Sequence, residues 1–415
     1  METASLASLC SRISSGGTPS RKHPEYFADE GGHLWVKSQE LVDCPISDTS
    51  EKISDLGLAK SSAKYYDEDT VLIAMYGATV GQLAILKAPA TVNQAVCALC
   101  VDPEIADYRY VFYVLMATRH DLTIQAAGAA QQNLNQGLIR DFEIPIYPLN
   151  KQRRIANVLG SLDDLIENNR RRIEILEEMA RLIYREWFVH FRFPGHEDVE
   201  LVDSHLGPIP EGWEAVPLSE LVTTEYGYTE SAKEEPVGPR YLRGMDMNKS
   251  SFIDWSAVPY CPISDRDREK FKVDVGDVFV IRMADPGKVG ICEREVDAVF
   301  ASYLVRLKPV DARLLPYYLF FTLSDDRYQG WVTGASTGAT RKSVSAKVMT
   351  EPPVVLPPQD VQAQFVETVA PIRGLLTNLL EQNGVFTAAR DLLLPHLISG
   401  ELDVSGLDLD LDPVA

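Results

Sequence analysis

The chain has 415 residues, which is too long for one ordinary hydrophobic core, so we expect at least two domains. Its 45% hydrophobic and 24% charged residues are typical of a folded globular protein, and no apolar run approaches the roughly 20 residues that span a bilayer. The net charge of -20 argues against wholesale wrapping of nucleic acid, but it permits a local contact surface, because phosphate binding depends on where Lys and Arg lie. The N-terminus lacks a basic segment followed by an apolar one, so we expect a cytoplasmic protein.

The six cysteines are scattered, which suits a reducing compartment better than a disulfide framework. Cys97 and Cys100 form a CxxC inside an apolar run, with no second pair at zinc spacing. We favour two buried structural thiols over the alternative of metal or redox chemistry. The seven histidines form no metal-spaced pair, so no metal site is predicted.

Residues 1–150 predict a first mixed α/β domain. Val71 to Met75 is expected to form a strand that ends in a glycine-bearing turn, Ala95 to Val101 a second strand, and Tyr108 to Ala117 a helix. A polar loop, 128–133, follows the helix.

A heptad seam then runs from Ile155 to Trp187, where apolar residues recur at alternating steps of four and three. It predicts a central long helix over 151–193. The same seam recurs 210 residues later, from Phe365 to Leu397, and predicts a C-terminal long helix over 359–400. Each seam follows a proline-containing strand and a globular stretch of similar length, so the chain contains a duplicated unit.

The second half repeats the order of elements in the first. A connector at 194–216, rich in proline and glycine, cannot continue a helix. The second domain, 217–358, has strands expected at Val278 to Arg282 and Ser302 to Leu307, a helix at Leu314 to Leu323, and a polar loop at 334–342. Residues 401–415 form an acidic tail that we expect to be solvated.

The two seams predict the geometry of the long helices. If they pair antiparallel over their full length, Ile155 faces Leu397, Trp187 faces Phe365, and Asn169 falls opposite Asn383. A buried Asn pair can fix register and orientation, because a slipped alignment would leave both amides without partners. The alternative is that both asparagines face solvent.

The predicted fold class is therefore α/β, with two mixed α/β domains separated by an antiparallel two-helix coiled coil and an internal pseudo-twofold repeat. The domains would sit at opposite ends of the helices. A seam of this length spans about 50 Å at a rise of ~1.5 Å per residue, or roughly 15 base pairs of B-DNA. The helices would act as a ruler.

Several segments resemble the specificity subunits of Type I restriction-modification systems. They are Tyr184-Arg185-Glu186-Trp187-Phe188, the connector LGPIPEGW at 206–213, the glycine turns after the strands, and the C-terminal LPHLISGEL at 394–402. The resemblance covers nearly the whole chain. It implies two target-recognition domains that each read one half of a split, asymmetric DNA site.

The resemblance also implies partners. They are two modification subunits, which use S-adenosylmethionine to methylate adenine N6, and restriction subunits that add cleavage. No cofactor and no catalysis are expected in this chain itself.

The sequence offers little support for an enzyme. Glu351-Pro352-Pro353-Val354 lacks the aromatic residue that an amino-methyltransferase needs to hold a flipped base. The run 338–343 has Arg341 where a phosphate loop needs the glycine before its lysine. Two alternatives stay open: an acidic two-domain protein-interaction scaffold with no nucleic-acid role, and a free-standing restriction or modification enzyme.

Candidate DNA contacts are long polar side chains on rigid elements, since Arg or Lys pairs with guanine and Asn or Gln with adenine. In the first domain these are Lys37, Gln39, Tyr76, Thr79, Gln131, Gln132 and Asn133. In the second they are Tyr226, Tyr228, Arg243, Arg282, Lys288, Arg341 and Lys342.

Each candidate has an alternative. Arg282, which ends a strand before a glycine turn, could instead pair with a carboxylate such as Asp285. Residues 131–133 could be a plain solvated loop, and Tyr226 and Tyr228 could pack inward. Arg170-Arg171-Arg172 are expected on the helix exterior, facing a partner or the spacer phosphates.

Overall fold

A computed structural model describes residues 2–127, 133–248, 250–310, 312–335, 343–404 and 406. The chain divides into two compact units. The first unit comprises residues 1–167 and 385–415, and the second comprises residues 168–384. Each unit therefore contains one part of each long helix.

The first unit contains twelve strands among its described residues. They are β1 Glu2–Ser5, β2 Cys10–Ser15, β3 Phe27–Ala28, β4 His33–Val36, β5 Cys44–Ile46, β6 Lys52–Ile53, β7 Tyr65–Tyr66, β8 Val71–Ala74, β9 Leu83–Leu86, β10 Ala90–Val92, β11 Val96–Val101 and β12 Glu143–Ile146. The helices that begin in this unit are α1 Leu6–Leu9, α2 Asp55–Ala59, α3 Tyr108–Ala117, α4 Arg119–Ala127, α5 Gln136–Asp141 and the long α6 Leu149–Tyr184.

These strands form two five-stranded sheets and one pair. The first sheet has the order β2-β11-β8-β9-β5, the second has the order β3-β6-β4-β10-β7, and β1 pairs with β12. Successive residues of β8 point to opposite faces. Val71 and Ile73 pack with α3 and the long helices, while Leu72 and Ala74 pack on the side of the second sheet. Burial on both faces explains why β8 is a continuous apolar run.

The second unit repeats this plan with fewer strands. They are β13 Leu201–Ser204, β14 Gly207–Pro210, β15 Glu214–Pro217, β16 Val222–Tyr226, β17 Arg240–Leu242, β18 Val278–Ile281, β19 Val289–Ile291, β20 Ala298–Phe300, β21 Leu304–Pro309 and β22 Pro353–Leu356. The helices are α7 Leu218–Leu221, α8 Asp265–Phe271, α9 Pro316–Ser324, α10 Asp326–Ala335, α11 Ala346–Met349 and the long α12 Gln359–Ser399.

The main sheet of the second unit has the order β16-β21-β18-β19, which matches β2-β11-β8-β9 of the first. The parallel pair β17–β20 matches the parallel pair β4–β10, and β15–β22 matches β1–β12. In the connector, β13 and β14 form an antiparallel hairpin. The connector, which the sequence predicts only to be non-helical, therefore contains a β-hairpin.

Two buried glutamines show the duplication at the level of single hydrogen bonds. Gln152 at the start of α6 accepts from the backbone N of Asp107 at 3.0 Å and donates to the carbonyls of Ile105 and Tyr147. Gln362 at the start of α12 accepts from Leu315 N at 3.0 Å and donates to Arg313 and Pro357. Each amide thus joins its long helix to the loop before α3 or α9 and to the strand exit beside it.

The long helices pair antiparallel within each unit. In the second unit, Trp187 and Phe365 lie with ring centroids 5.9 Å apart, and Ile173 packs with Leu379. In the first unit, Ile155 and Leu397 share one buried cluster, and Asp163 forms an ion pair with Arg390 at 2.8 Å. α6 is regular through Tyr184 and continues as one π-helical turn to Val189.

The predicted fold class is confirmed in its mixed α/β domains, its antiparallel long helices and its internal repeat. The boundaries expected for the target-recognition domains stay predictions. The solvated tail was wrong at one residue, because Val404 is fully buried in the core of the first unit. Among the described helices, none has both the length and the apolar character of a membrane span.

Candidate functional site

In the first unit, one residue joins three surface segments at the end of β8. The backbone N of Met75 donates to the carbonyl of Ala95 at 2.8 Å, and its carbonyl accepts from Leu134 N at 3.0 Å. Met75 therefore brings the turn after β8 next to the turn before β11 and next to the loop before α5. Gly77 and Gly81 make the first turn possible, because both have a φ of +81°.

These segments carry four polar side chains that we call the first edge: Tyr76, Thr79, Gln94 and Asn133. Tyr76, Gln94 and Asn133 are exposed, and Thr79 is partly exposed. The backbone that carries them is held by the two hydrogen bonds that the Met75 N and the Met75 carbonyl make. The first edge therefore presents hydroxyl and amide groups from a rigid base, as base recognition requires.

The second unit builds the same junction with Arg282 in the place of Met75. Arg282 N donates to the carbonyl of Tyr303 at 2.9 Å, and its carbonyl accepts from Val344 N at 2.9 Å. The turn that follows contains Ala284 at a φ of +71° and Gly287 at +102°. We call Tyr226, Arg282, Lys288 and Tyr303 the second edge.

The Arg282 side chain is held by stacking. Its guanidinium carbon lies 4.7 Å from the ring centre of Tyr226, whose hydroxyl accepts from Ala346 N at 3.0 Å. Asp285, the alternative partner, accepts instead from Asn248 Nδ2 at 3.0 Å. Within the part of the chain that the structure describes, Arg282 forms no ion pair, and its Nε has no hydrogen-bond partner. The side chain is partly exposed but its Nε is buried, so an external acceptor would have to bind the terminal nitrogens of the guanidinium.

Lys37 and Arg243 occupy matching positions and both make local ion pairs. Each follows a strand of the parallel pair, and its backbone N donates to a carboxylate three residues later, at Glu40 or Asp246. The Lys37 ammonium lies 3.0 Å from Glu51. The hydrogen bonds to Asp246 raise the pKa of Arg243 and occupy part of its guanidinium. Neither residue is as available as Arg282.

The remaining candidates divide into three groups. Gln39 is exposed in the turn after Lys37, and Lys288 is exposed directly before β19. The ring of Tyr228 packs on Phe271, with centroids 5.6 Å apart, and its backbone N donates to Phe300 at 2.8 Å. The last four lie outside the described residues: Gln131, Gln132, Arg341 and Lys342.

Sequence reasoning did not find Gln94, Tyr303 and Asn248. Gln94 and Tyr303 lie in turns that enter β11 and β21, so backbone pairing brings them beside the strand ends that we did identify. A polar or aromatic residue immediately before the second apolar strand was the available signal. Asn248 has a buried Oδ1 without a hydrogen-bond partner among the described residues, and nothing in its local sequence marks it.

The CxxC cysteines lie on β11 as free thiols. Burial raises the pKa of Cys97 to about 12 and also raises that of Cys100. Both therefore favour the protonated form, which is a poor metal ligand and a poor nucleophile. Across the described ranges, no cluster of three or more His, Cys, Asp or Glu side chains could hold a metal ion.

Comparison with known proteins gives these edges a context. The family described as Type I restriction modification DNA specificity domain matches residues 1–178. The MjaIX specificity subunit of Methanocaldococcus jannaschii is 26% identical over 413 residues, covering 95% of this chain and 92% of the relative. This similarity confirms the resemblance to Type I restriction enzyme specificity subunits over nearly the whole chain.

Two further proteins are similar to this chain. The EcoBI specificity subunit of Escherichia coli is 22% identical over 353 residues, covering 77% of this chain and 74% of the relative. The crystal structure of a Type I S subunit from M. genitalium shares the fold, with a TM-score of 0.57, 17% identity and 95% coverage of both chains.

Proposed function

We propose that this chain is a non-catalytic specificity subunit that binds a bipartite, asymmetric DNA site and reads one half with each edge. The observation that carries the proposal is the repeated junction at Met75 and Arg282. The same backbone hydrogen bonds hold different side chains at the two junctions. A shared scaffold with divergent surface residues suits two readers of different sequences.

The chemistry of the edges differs in a way that predicts the two half-sites. The first edge carries the amide of Asn133, which matches the N6 and N7 groups of adenine, and the amide of Gln94, whose Oε1 already accepts from Thr18 Oγ1. The second carries Arg282, whose guanidinium matches the O6 and N7 acceptors of guanine. The half-site read by the second domain is therefore proposed to contain a G·C pair.

We expect partner subunits to bind this chain. The net charge of -20 leaves this chain poorly equipped to neutralise a long stretch of phosphates, so much of that charge must come from a partner. On α6, Ile175, Met179 and Leu182 are exposed at helical spacing, which supports a protein contact there. We assign this role to two modification subunits that bind S-adenosylmethionine and methylate adenine N6, with restriction subunits as further partners.

The long helices set the gap between the half-sites in this proposal. α6 has 36 residues and α12 has 41, so each is rigid over tens of ångströms at a rise of ~1.5 Å per residue. Whole turns of helix then correspond to fixed numbers of spacer base pairs. A cytoplasmic location belongs to the same proposal, because the DNA target lies there.

The scaffold alternative makes a different prediction about DNA. We co-express the chain with its modification subunit and measure retention of duplex DNA at increasing salt. The proposal predicts binding whose affinity falls steeply with salt, as released counterions require. An acidic protein-interaction scaffold predicts no retention above that of the modification subunit alone.

A further inference from the structure

The second unit contains a buried arginine on a long helix that is bonded to the recognition domain. Arg373 lies in α12, and its side chain is 1% exposed. Its Nε and one terminal nitrogen donate to the two oxygens of Glu293 at 2.8 and 2.7 Å. This bidentate geometry fixes the position as well as the charge of the carboxylate.

The same guanidinium bonds to a second segment of the domain. It donates to Ser251 Oγ at 2.7 Å and to the Ser251 carbonyl at 3.0 Å. The Ser251 hydroxyl donates in turn to Glu177 on α6, and Ser251 N donates to the same carboxylate at 3.2 Å. Ser251 is thus held between the two long helices.

Both segments lie close in sequence to residues that contact the turn of the second edge. Glu293 stands two residues after β19, the strand that leaves the turn carrying Arg282 and Lys288. Three residues before Ser251, Asn248 donates to Asp285 in that turn at 3.0 Å. Met247 covers the same hairpin closely, since a Cβ on Gly290 would come within 2.8 Å of its Cε.

The first unit has no such connection among its described residues at the corresponding position. The residue 210 positions before Arg373 is Asp163, which bonds to Arg390 on the other long helix and to Tyr113 in α3. These contacts join the helices to each other and to the core, and they do not reach the first edge. The bond from helix to edge is thus a feature of the second unit.

We propose that Arg373 is a positioning residue for DNA reading by the second edge. It sets the angle of the hairpin that carries Arg282 by holding Glu293 and Ser251, so sequence discrimination at one half-site depends on a side chain that never touches DNA. This inference rests on the proposed function, because it assumes that the second edge reads a half-site.

The test uses the chain co-expressed with its modification subunit. Arg373→Met removes the guanidinium and keeps the length of the side chain. We expect methylation of single-mismatch duplexes to rise about three- to tenfold relative to the cognate site for mismatches in the second half-site, and to stay unchanged for mismatches in the first.

A second variant covers the case in which Arg373→Met does not fold. Ser251→Ala removes the hydroxyl between Arg373 and Glu177 and keeps the backbone bonds, so a smaller shift with the same half-site preference is expected. Arg294→Ala is the matched control, since Arg294 also joins this hairpin to α12, through an exposed ion pair with Glu381. It should leave both half-sites unchanged.

The outcomes distinguish a failure of this inference from a failure of the proposed function. Unchanged discrimination in Arg373→Met, or in Ser251→Ala where the first variant is unfolded, overturns the inference. An equal loss at both half-sites does the same, because it indicates general destabilisation. If the wild-type complex methylates no bipartite site, the proposed function fails first.

Discussion

Asn169 on α6 donates a hydrogen bond from Nδ2 to Oδ1 of Asn383 on α12, at 3.0 Å. Asn169 is 5% exposed, and apolar residues such as Ile173 and Leu379 pack nearby. The two asparagines lie where antiparallel pairing of the heptad seams places them. A polar pair in an apolar seam favours one alignment, because any shift leaves the buried amide of Asn169 without this partner.

This pair predicts an asymmetry between single and double substitutions. Asn169→Leu should lower the free energy of unfolding by about 1–3 kcal/mol, since it leaves a partly buried amide without its partner. Combining it with Asn383→Leu should recover most of the loss. Denaturant unfolding of the three proteins measures both effects. A single variant as stable as the wild type would show that the pair does not fix the register.

We predict that Arg282→Ala relaxes base recognition at one base pair of one half-site. A bidentate contact to guanine contributes about 1–3 kcal/mol of discrimination, so methylation of sites with another base at that position should rise up to ~100-fold. Arg266→Ala, at an exposed position on α8, is the control. If the methylated motif is the same in all three proteins, Arg282 is not a base reader.

The buried thiol of Cys97 gives a prediction about pH. Burial disfavours the thiolate and raises its pKa to about 12, so the native protein holds this proton at pH values where the unfolded chain releases it. Stability from this group is present below pH ~9 and falls as the pH rises towards 12. Iodoacetamide should label Cys97 far more slowly in the native protein than in urea at pH 8 to 9. Equal rates would contradict the assignment of a buried structural thiol.

The heptad seams, the apolar strands and α3 could be predicted from the sequence, because each rests on a local period. The seam even identified facing residues such as Trp187 and Phe365, since a 3.5-residue repeat fixes which side chains meet. The second sheet of the first unit could not be predicted. Its strands β3, β6 and β7 have two residues each, too few to show an alternating pattern.

The candidate site was predicted less completely, and the reason is long-range contact. Arg282 stands out locally as a cation that ends a strand, and the structure leaves it without an ion pair among the described residues. Arg243 has similar local features, but Asp246 engages it. Tyr303 joins the edge only through a backbone bond between two strands, which no local pattern reveals.

Lengthening both long helices tests whether they set the gap between the half-sites. One heptad inserted after Glu167 and another before Val385 adds ~10.5 Å of helix and keeps the seam in register, so the tolerated spacer should grow by about 3 base pairs. Inserting the heptad in α6 alone should abolish methylation, because seven residues then lack partners. An unchanged spacer in the double insertion would show that the helices do not set the gap.

The most direct measurement is a genome-wide map of N6-methyladenine in cells that express this chain with its modification subunit. We predict one bipartite motif with two different half-sites, a gap of constant length and methylated adenine in both halves. A continuous or symmetric motif would contradict the account, and so would the absence of methylation that depends on this chain.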